Sequence, residues 1–264
     1  MDVVVYRARR MDKTVAREID RLRRELPDFM VVVVCYQKDY LPSDSDPVNM
    51  LYCYGKQELE TLPYPGKIRD MNWNNPTGHH DLPVLKYYRD HPDFDSYWII
   101  EDDVRFSGPW TDLFGELAEA QADFLAANLD TQDKKPIWHW WETLDTAGEI
   151  LTKKQRIKCF GPFIRARRIC VEAVDRRYES GWSGHFELTW PTICVAANLK
   201  LEDIGGSGDF TPEGRRNRFY VNTPSHWHLF PGTFVFRPTF KDTEMSKFVL
   251  DFFSRPMLWH PVKP

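Results

Sequence analysis

The sequence predicts an α/β protein built on a mostly parallel sheet with helices on both faces. A β-branched run at residues 3–6 leads into a helical repeat and then a fully apolar strand, the order of a crossover between parallel strands. Several short apolar runs alternate with amphipathic segments as far as residue 204, and one of them ends in three consecutive carboxylates, Glu101, Asp102 and Asp103.

Val3 to Tyr6 form the first strand candidate. Val15, Ile19, Leu22 and Leu26 then recur at helical spacing among Arg and Glu, and Pro27 stops that helix. Residues 30–36 and 50–54 read as the second and third strands. Residues 39–47 and 62–76, rich in Pro, Asp and Asn, read as loops. A helix is expected over 81–91, ended by Pro92, followed by a strand through Ile99 and Ile100 into the carboxylates. Beyond Gly108 and Pro109 the pattern predicts a helix over 111–121, a strand over 123–128, and loops or short helices through Trp138, Trp140 and Trp141. A strand at 157–165 and a helix at 167–178 come next, then a glycine-rich break at 181–184. A helix over 186–198 is expected to carry Pro191 in its first turn, and 201–204 is the last strand of the series. The remainder is loop-rich. No repeat or linker divides the chain, so residues 1–264 are expected to form a single domain.

With 35 Lys+Arg against 39 Asp+Glu, the net charge of −4 gives no electrostatic basis for wholesale nucleic-acid binding. A hydrophobic fraction of 42% with 28% charged residues describes a folded core. No apolar run approaches the roughly 20 residues of a membrane span, so any membrane contact is expected to be peripheral. Arg7, Arg9 and Arg10 follow the first apolar run, the reverse of a secretory signal. Five widely spaced cysteines without a Cys-x-x-Cys pair are expected to be buried free thiols, which together with the absent signal points to the cytoplasm.

In an extended chain Glu101 and Asp103 project to the same side. Two carboxylates at the carboxyl end of a parallel strand lie where open α/β sheets bind ligands, and hard oxygen donors suit Mg²⁺ or Mn²⁺ holding a diphosphate. The competing reading is a solvated acidic turn.

Residues 97–108, Tyr-Trp-Ile-Ile-Glu-Asp-Asp-Val-Arg-Phe-Ser-Gly, resemble the strand and Asp-x-Asp-type motif of nucleotide-diphospho-sugar transferases with the GT-A fold, in an E-D-D variant. The resemblance implies a GT-A-like domain. Residues 1–110 would form its nucleotide-binding part, and residues 111–264 the acceptor-binding part and tail. It implies a metal-dependent glycosyltransferase moving a sugar from a nucleotide-diphosphate sugar to an acceptor hydroxyl. Asp103 would ligate Mn²⁺ or Mg²⁺, with Glu101 or Asp102 meeting the ribose or a metal-bound water. Glu187, just past the glycine-rich turn, resembles the base that deprotonates the acceptor; its alternative role is to stabilise a helix N-terminus, and His185 is a weaker candidate base. A late histidine would complete the metal shell; His226, His228 and His260 are the candidates, and His260 is favoured, with Lys263 free to reach a phosphate. Tyr6, Arg7, Tyr36 and Gln37 at the ends of the first two strands would receive the nucleobase, with Arg69, Asp70 and Asn75 nearby. Arg9, Arg10, Arg165, Arg167 and Arg168 read as solvated faces or structural ion pairs, and the glycines at 205, 206 and 208 as a mobile loop over the site.

The 38 aromatic residues, 14% of the chain, include the run Trp138-His139-Trp140-Trp141, a candidate platform for a carbohydrate acceptor. Two other readings stand beside transfer: a sugar-phosphate nucleotidyltransferase, for which 7–10 has charge but no glycines, and a non-catalytic carbohydrate-binding protein on the same fold.

Overall fold

The computed structural model describes residues 1–37, 46, 50–222, 232–237, 239–243, 245 and 255–263. Its centre is a seven-stranded sheet. The strands are β1 (Val3–Arg7), β2 (Met30–Tyr36), β3 (Leu51–Tyr54), β4 (Ser96–Glu101), β6 (Phe124–Thr131), β7 (Ile157–Arg167) and β8 (Leu201–Asp203). They lie in the order β3-β2-β1-β4-β7-β6-β8. All neighbours are parallel except at β7, which runs antiparallel to β4 and β6. The mostly parallel, helix-flanked sheet expected from the sequence is therefore present, with one reversed strand that no local pattern announced.

Alternation along β1 divides the core. Val3 and Val5 face the layer formed by α2 (Lys56–Glu60), α3 (Pro65–Asp70), α4 (Leu82–Asp90), α6 (Arg168–Glu179) and α7 (Phe186–Ala196), whereas Val4 and Tyr6 face α1 (Lys13–Glu25) and α5 (Trp110–Ala118). The long runs of buried Val and Ile in β1, β2 and β4 follow from this coverage. Among the described residues there are also four two-residue strands. Of these, β5 (Arg105–Phe106) pairs with β10 (Leu258–Trp259), and β9 (Phe240–Lys241) pairs with β11 (Val262–Lys263). These ladders bring the last residues of the chain back to the end of β4.

Several expectations need correction. Residues 56–60 and 65–70 are helical, the first inside no expected element and the second inside the expected 62–76 loop; Pro65 at the first helical position presets the dihedral, and both helices are too short to show a periodic apolar face. Pro191 lies inside α7, beyond the first turn, where it leaves the Glu187 carbonyl without its usual i+4 donor; burial of most of the helix on all sides outweighs that loss. Cys35 and Cys53 are directly opposed on β2 and β3 and joined as a disulfide, so only Cys159, Cys170 and Cys194 are free buried thiols. The parallel register creates that opposition, and spacing in sequence does not display it. Gly205 and Gly206 are buried, and both donate their amides to Asp203 Oδ1 (2.8 and 2.7 Å), which makes this stretch an anchored turn and not a mobile cover. No helix among the described residues is long and apolar enough to cross a membrane.

Arg165 is not solvated, and no carboxylate among the described residues pairs with it. Arg165 is 3% exposed, and its guanidinium donates to the carbonyl of Leu117 in the last turn of α5 and to those of Ala120 and Ala122 just past it, where a helix end leaves carbonyls short of donors. Arg165→Met takes this donor from the buried Ala120 and Ala122 carbonyls, and thermal or urea unfolding is expected to show a loss of about 2–4 kcal/mol; a loss below about 0.5 kcal/mol, the size of an ordinary surface substitution, would contradict the capping role.

Candidate functional site

At the carboxyl end of β4 three negative charges sit side by side, and each is met from a different direction. Arg7, opposite Glu101 on neighbouring β1, donates to Glu101 Oε1. Asp102 turns to the other face, where its Oδ2 accepts from the Arg9 amide (3.2 Å) and lies 3.5 Å from the Arg9 guanidinium. Asp103 is 6% exposed and receives Lys263 on Oδ2 and His260 Nε2 at 3.2 Å from Oδ1. The Val262 amide donates to the Asp103 carbonyl at 2.8 Å, so the tail is hydrogen-bonded to the strand end that it neutralises.

Glu101, Asp103 and His260 offer three ligand atoms within 4.8 Å of one another. The set fits a divalent cation. Asp103 Oδ1 is buried, and the group facing it is His260 Nε2 at 3.2 Å. His260 Nδ1 donates to the Val235 carbonyl at 2.7 Å, so a cation that displaces the other ring proton would find the Nε2 lone pair facing the carboxylates. Two carboxylate oxygens and one imidazole are donors that Mn²⁺ accepts readily and Mg²⁺ accepts with additional oxygens. Among the protein groups alone, burial opposes every charge here, yet the pairs win. Arg7 and His260 together outweigh burial to bring Glu101 down to about 2, His260 and Lys263 together hold Asp103 below the ordinary carboxylate range, and Asp103 and Glu101 push His260 up to about 9.

Glu187 occupies the first turn of α7, but its carboxylate is directed at the sheet: Oε1 accepts from the Gly161 amide of β7 at 2.8 Å. Burial pushes the carboxyl up to about 7, with Glu101 adding to the rise and the Gly161 bond and Arg7 opposing it. The helix N-terminus favours the anion, and burial prevails. His185 is the N-cap, its Nδ1 accepting from the Glu187 amide at 3.3 Å. Burial, then Lys67, lowers its ring to about 3, and its Nδ1 is already engaged at the helix start, so the geometry favours Glu187 over His185. Gly184, at φ +130°, lets the chain pass so close to Thr143 that a Cβ would lie 2.7 Å from the Thr143 carbonyl oxygen.

The Arg7 guanidinium lies 5.4 Å from the centre of the Phe186 ring, so β1 joins the acidic cluster to the Glu187 turn. The His80 ring stands 6.4 Å from Phe186, and burial followed by Arg7 lowers it to about 4. Around the turn, the Trp140 ring tilts over His185 at 4.6 Å, Trp138 meets His185 at 6.0 Å, and the Lys158 ammonium lies 5.6 Å from the Trp138 ring. Trp141 is buried and donates to the Lys135 carbonyl at 2.9 Å, so only Trp138 and Trp140 of the expected platform keep exposed ring surface.

On the other face of the strand end, a cavity of about 330 Å³ runs between Arg9, Arg10, Thr14, Asp102, Asp103 and Lys263. Tyr6 does not open into it as a stacking surface. Its ring is 1% exposed beneath β1 and its hydroxyl meets the Asp102 carbonyl at 3.3 Å, which corrects its expected role under a nucleobase. Tyr36 packs beside Trp73, its hydroxyl donating to the Trp73 carbonyl. Arg69 is exposed and paired with Asp70 and Asp145, and Asn75 closes a local turn with Thr77, so these three do not gather at the cavity. Lys263 is held on Asp103 and is not a free cation. His226 and His228 lie outside the described residues.

Sequence reasoning passed over Lys67, Asp81 and His80. Residues 78–81, Gly-His-His-Asp, concentrate polar groups just ahead of an apolar helix, and that was the available signal; the partner of Asp81, Lys67, carries none.

No protein-family model matches the chain, and no curated protein does. Similar solved structures include a galactosyltransferase, LgtC, in complex with donor and acceptor sugar analogues (9% identity, 94% of this chain and 78% of that one, TM-score 0.41). Mouse xyloside xylosyltransferase 1 in its apo form is similar over 78% of this chain and 86% of that one (7%, 0.41). A glycosyltransferase involved in glycosylation of the major capsid of PBCV-1 is similar over 97% and 91% (7%, 0.34).

A carboxyl with a folded value near 7 and an ordinary value of 4.5 binds its proton more tightly in the folded state. Its contribution is full below about pH 4.5 and is lost as pH rises through 7. Urea unfolding of wild type against Glu187→Gln across pH 4–8 is expected to reveal a wild-type decline on the order of 3 kcal/mol that the variant lacks. Parallel pH profiles would show that Glu187 titrates normally.

Proposed function

We propose that this chain is a metal-dependent glycosyltransferase that moves a sugar from a nucleoside-diphosphate sugar to an acceptor hydroxyl. The observation that carries the reading is one strand end with two chemistries beside it. The Glu101, Asp103 and His260 ligand set lies on one side of Arg7, and a protein-buried carboxylate poised near neutrality, Glu187, lies on the other. Glycosyl transfer asks for both: neutralisation of a leaving diphosphate and a base for the attacking hydroxyl.

Glu101, Asp103 and His260 would hold Mn²⁺ or Mg²⁺, which when bound offsets the charge that develops on the leaving diphosphate. The cavity lined by Arg9, Arg10 and Lys263 suits the nucleotide, since guanidinium and ammonium groups complement phosphate and Asp102 accepts from a ribose hydroxyl. This assigns donor binding chiefly to residues 1–110 with the tail, and acceptor binding to residues 111–264. Glu187 takes the acceptor proton on a carboxylate oxygen. A value near 7 makes it a stronger base than an exposed glutamate while leaving much of it ionised at neutral pH. Trp138 and Trp140 present flat apolar surface at the same turn, to which the C–H face of a sugar acceptor is complementary.

Binding and turnover separate the candidate functions. Calorimetry with UDP, GDP, CDP and ADP, each with Mn²⁺ or Mg²⁺, is expected to show metal-dependent binding of one nucleotide that Asp103→Ala abolishes. No binding of any nucleotide would reject transfer. Release of pyrophosphate from a nucleoside triphosphate and a sugar phosphate would identify a nucleotidyltransferase instead. With donor and acceptor in hand, Glu187→Gln is expected to keep nucleotide affinity within about twofold and to lose about 10²–10⁴-fold in kcat. Trp140→Ala is expected to raise the acceptor KM about tenfold, equivalent to roughly 1.4 kcal/mol, with donor KM unchanged; equal effects on both substrates would remove Trp140 from the acceptor side.

A further inference from the structure

Behind the Glu187 turn, with no exposure to solvent, lies a charged pair that the proposed chemistry does not use. Lys67 on α3 is 0% exposed and its ammonium is 3.1 Å from Asp81 Oδ1. A lysine in such a place suffers strong desolvation, and burial does lower its proton affinity. Apolar residues of the same volume would stabilise the fold as well or better. The geometry shows what the ammonium does in addition. It donates to the carbonyls of Gly78 (3.3 Å) and Gly184 (3.0 Å). The Gly78 carbonyl also accepts from the Phe186 amide at 2.8 Å, and Gly184 directly precedes the N-cap His185. The second oxygen of Asp81 accepts from Tyr178 (2.8 Å) and Trp190 (2.9 Å); Tyr178 meets Thr189, whose hydroxyl returns to the His185 carbonyl at 3.3 Å. A Cβ on Gly66, the neighbour of Lys67, would sit 2.4 Å from the Gly181 carbonyl oxygen, so α3 is pressed directly against the turn.

We propose that Lys67, held by Asp81, is a positioning residue for Glu187: its ammonium fixes the Gly184 carbonyl that leads into residues 185–187 and the Gly78 carbonyl that bonds to Phe186, and so sets where the carboxylate stands. The inference rests on the reading of Glu187 as the base. Among the described residues no other side chain donates to both carbonyls. An apolar replacement fills the volume but leaves the Gly184 carbonyl without this donor and the Gly78 carbonyl with the Phe186 amide alone, which lets the turn shift. Misplacement by about 1 Å is enough to cost on the order of 10²-fold in catalysis without disturbing a nucleotide bound beyond Arg7.

The test uses two variants. Lys67→Met/Asp81→Asn removes both charges while the amide oxygen introduced at position 81 still accepts from Trp190 or Tyr178, and Lys67→Ala leaves room for a small amine. In the double variant kcat is expected to fall about 10²-fold with donor KM and metal-nucleotide affinity within about twofold. Hydrogen exchange of the 184–188 amides is expected to quicken about tenfold, with β1 and β4 unchanged. Methylammonium is expected to restore part of kcat to Lys67→Ala and none to Glu187→Gln. A folded double variant with wild-type kcat and wild-type exchange would overturn the proposal, as would a folded Lys67→Ala that no amine rescues. Should the double variant fail to fold, amine rescue of Lys67→Ala decides alone. If Glu187→Gln turns over like wild type, the base reading fails, and exchange at 184–188 still decides whether Lys67 holds the turn.

Discussion

Three carboxylates in a row at the end of a buried strand repel one another and resist desolvation, and the neighbourhood is arranged to meet that cost. Glu101 is answered from β1 by Arg7, Asp102 from the β1–α1 connection by Arg9, and Asp103 from the far end of the chain by His260 and Lys263. Each answer fixes an element in place. Arg7 must lie in register with Glu101, which it does because β1 and β4 are parallel neighbours. The tail must return past β5 and bond to the Asp103 backbone. A cation shared by Glu101, Asp103 and His260 would take over part of this neutralisation, freeing Lys263 for a phosphate. The protein pairs therefore keep the cluster folded and ready without filling it permanently.

Much of the scaffold was legible because burial on two faces leaves a strong mark: β1, β2, β4 and the helix carrying Ile19 and Leu22 declare themselves by composition and period. The reversal of β7 was not, since an antiparallel strand covered on both faces has the same apolar composition as a parallel one. The short helices at 56–60 and 65–70 fall below the length at which a period can be read.

The same division runs through the site. Glu101 and Asp103 were singled out by their place at the carboxyl end of a strand, and His260 and Glu187 by the resemblance; the structure gathers Glu101, Asp103 and His260 within ligand distance of one another. Tyr6 looked equally suitable, but period-two alternation sends it beneath the sheet on the Val4 side, the opposite face from Arg7. Trp141 shared a motif with Trp140 and was separated from it only by the short helical turn that buries one ring and leaves the other on His185. Lys67 and Asp81 were invisible: pairing between a short helix and the start of a longer one leaves no spacing rule, and a buried ammonium is read from sequence as a solvated one. The Gly161 amide that holds Glu187 has no side chain to advertise it.

Lys263 and Asp103 are separated by 160 positions, and that distance gives the acidic cluster a history as well as a geometry. Closing so long a segment is a modest entropic cost at equilibrium but a late event in time, because the sheet pairs β1, β2 and β4 through much nearer contacts. On the ribosome the acidic strand is made long before the residues that complete its ligand set. The parallel half of the sheet can thus assemble around a cluster that cannot yet grip a cation in its final form. A cation site made of Glu101, Asp103 and His260 would be completed only once residue 260 has been made and docked, and it would open if residues 257–263 peeled back, with the scaffold beneath still intact.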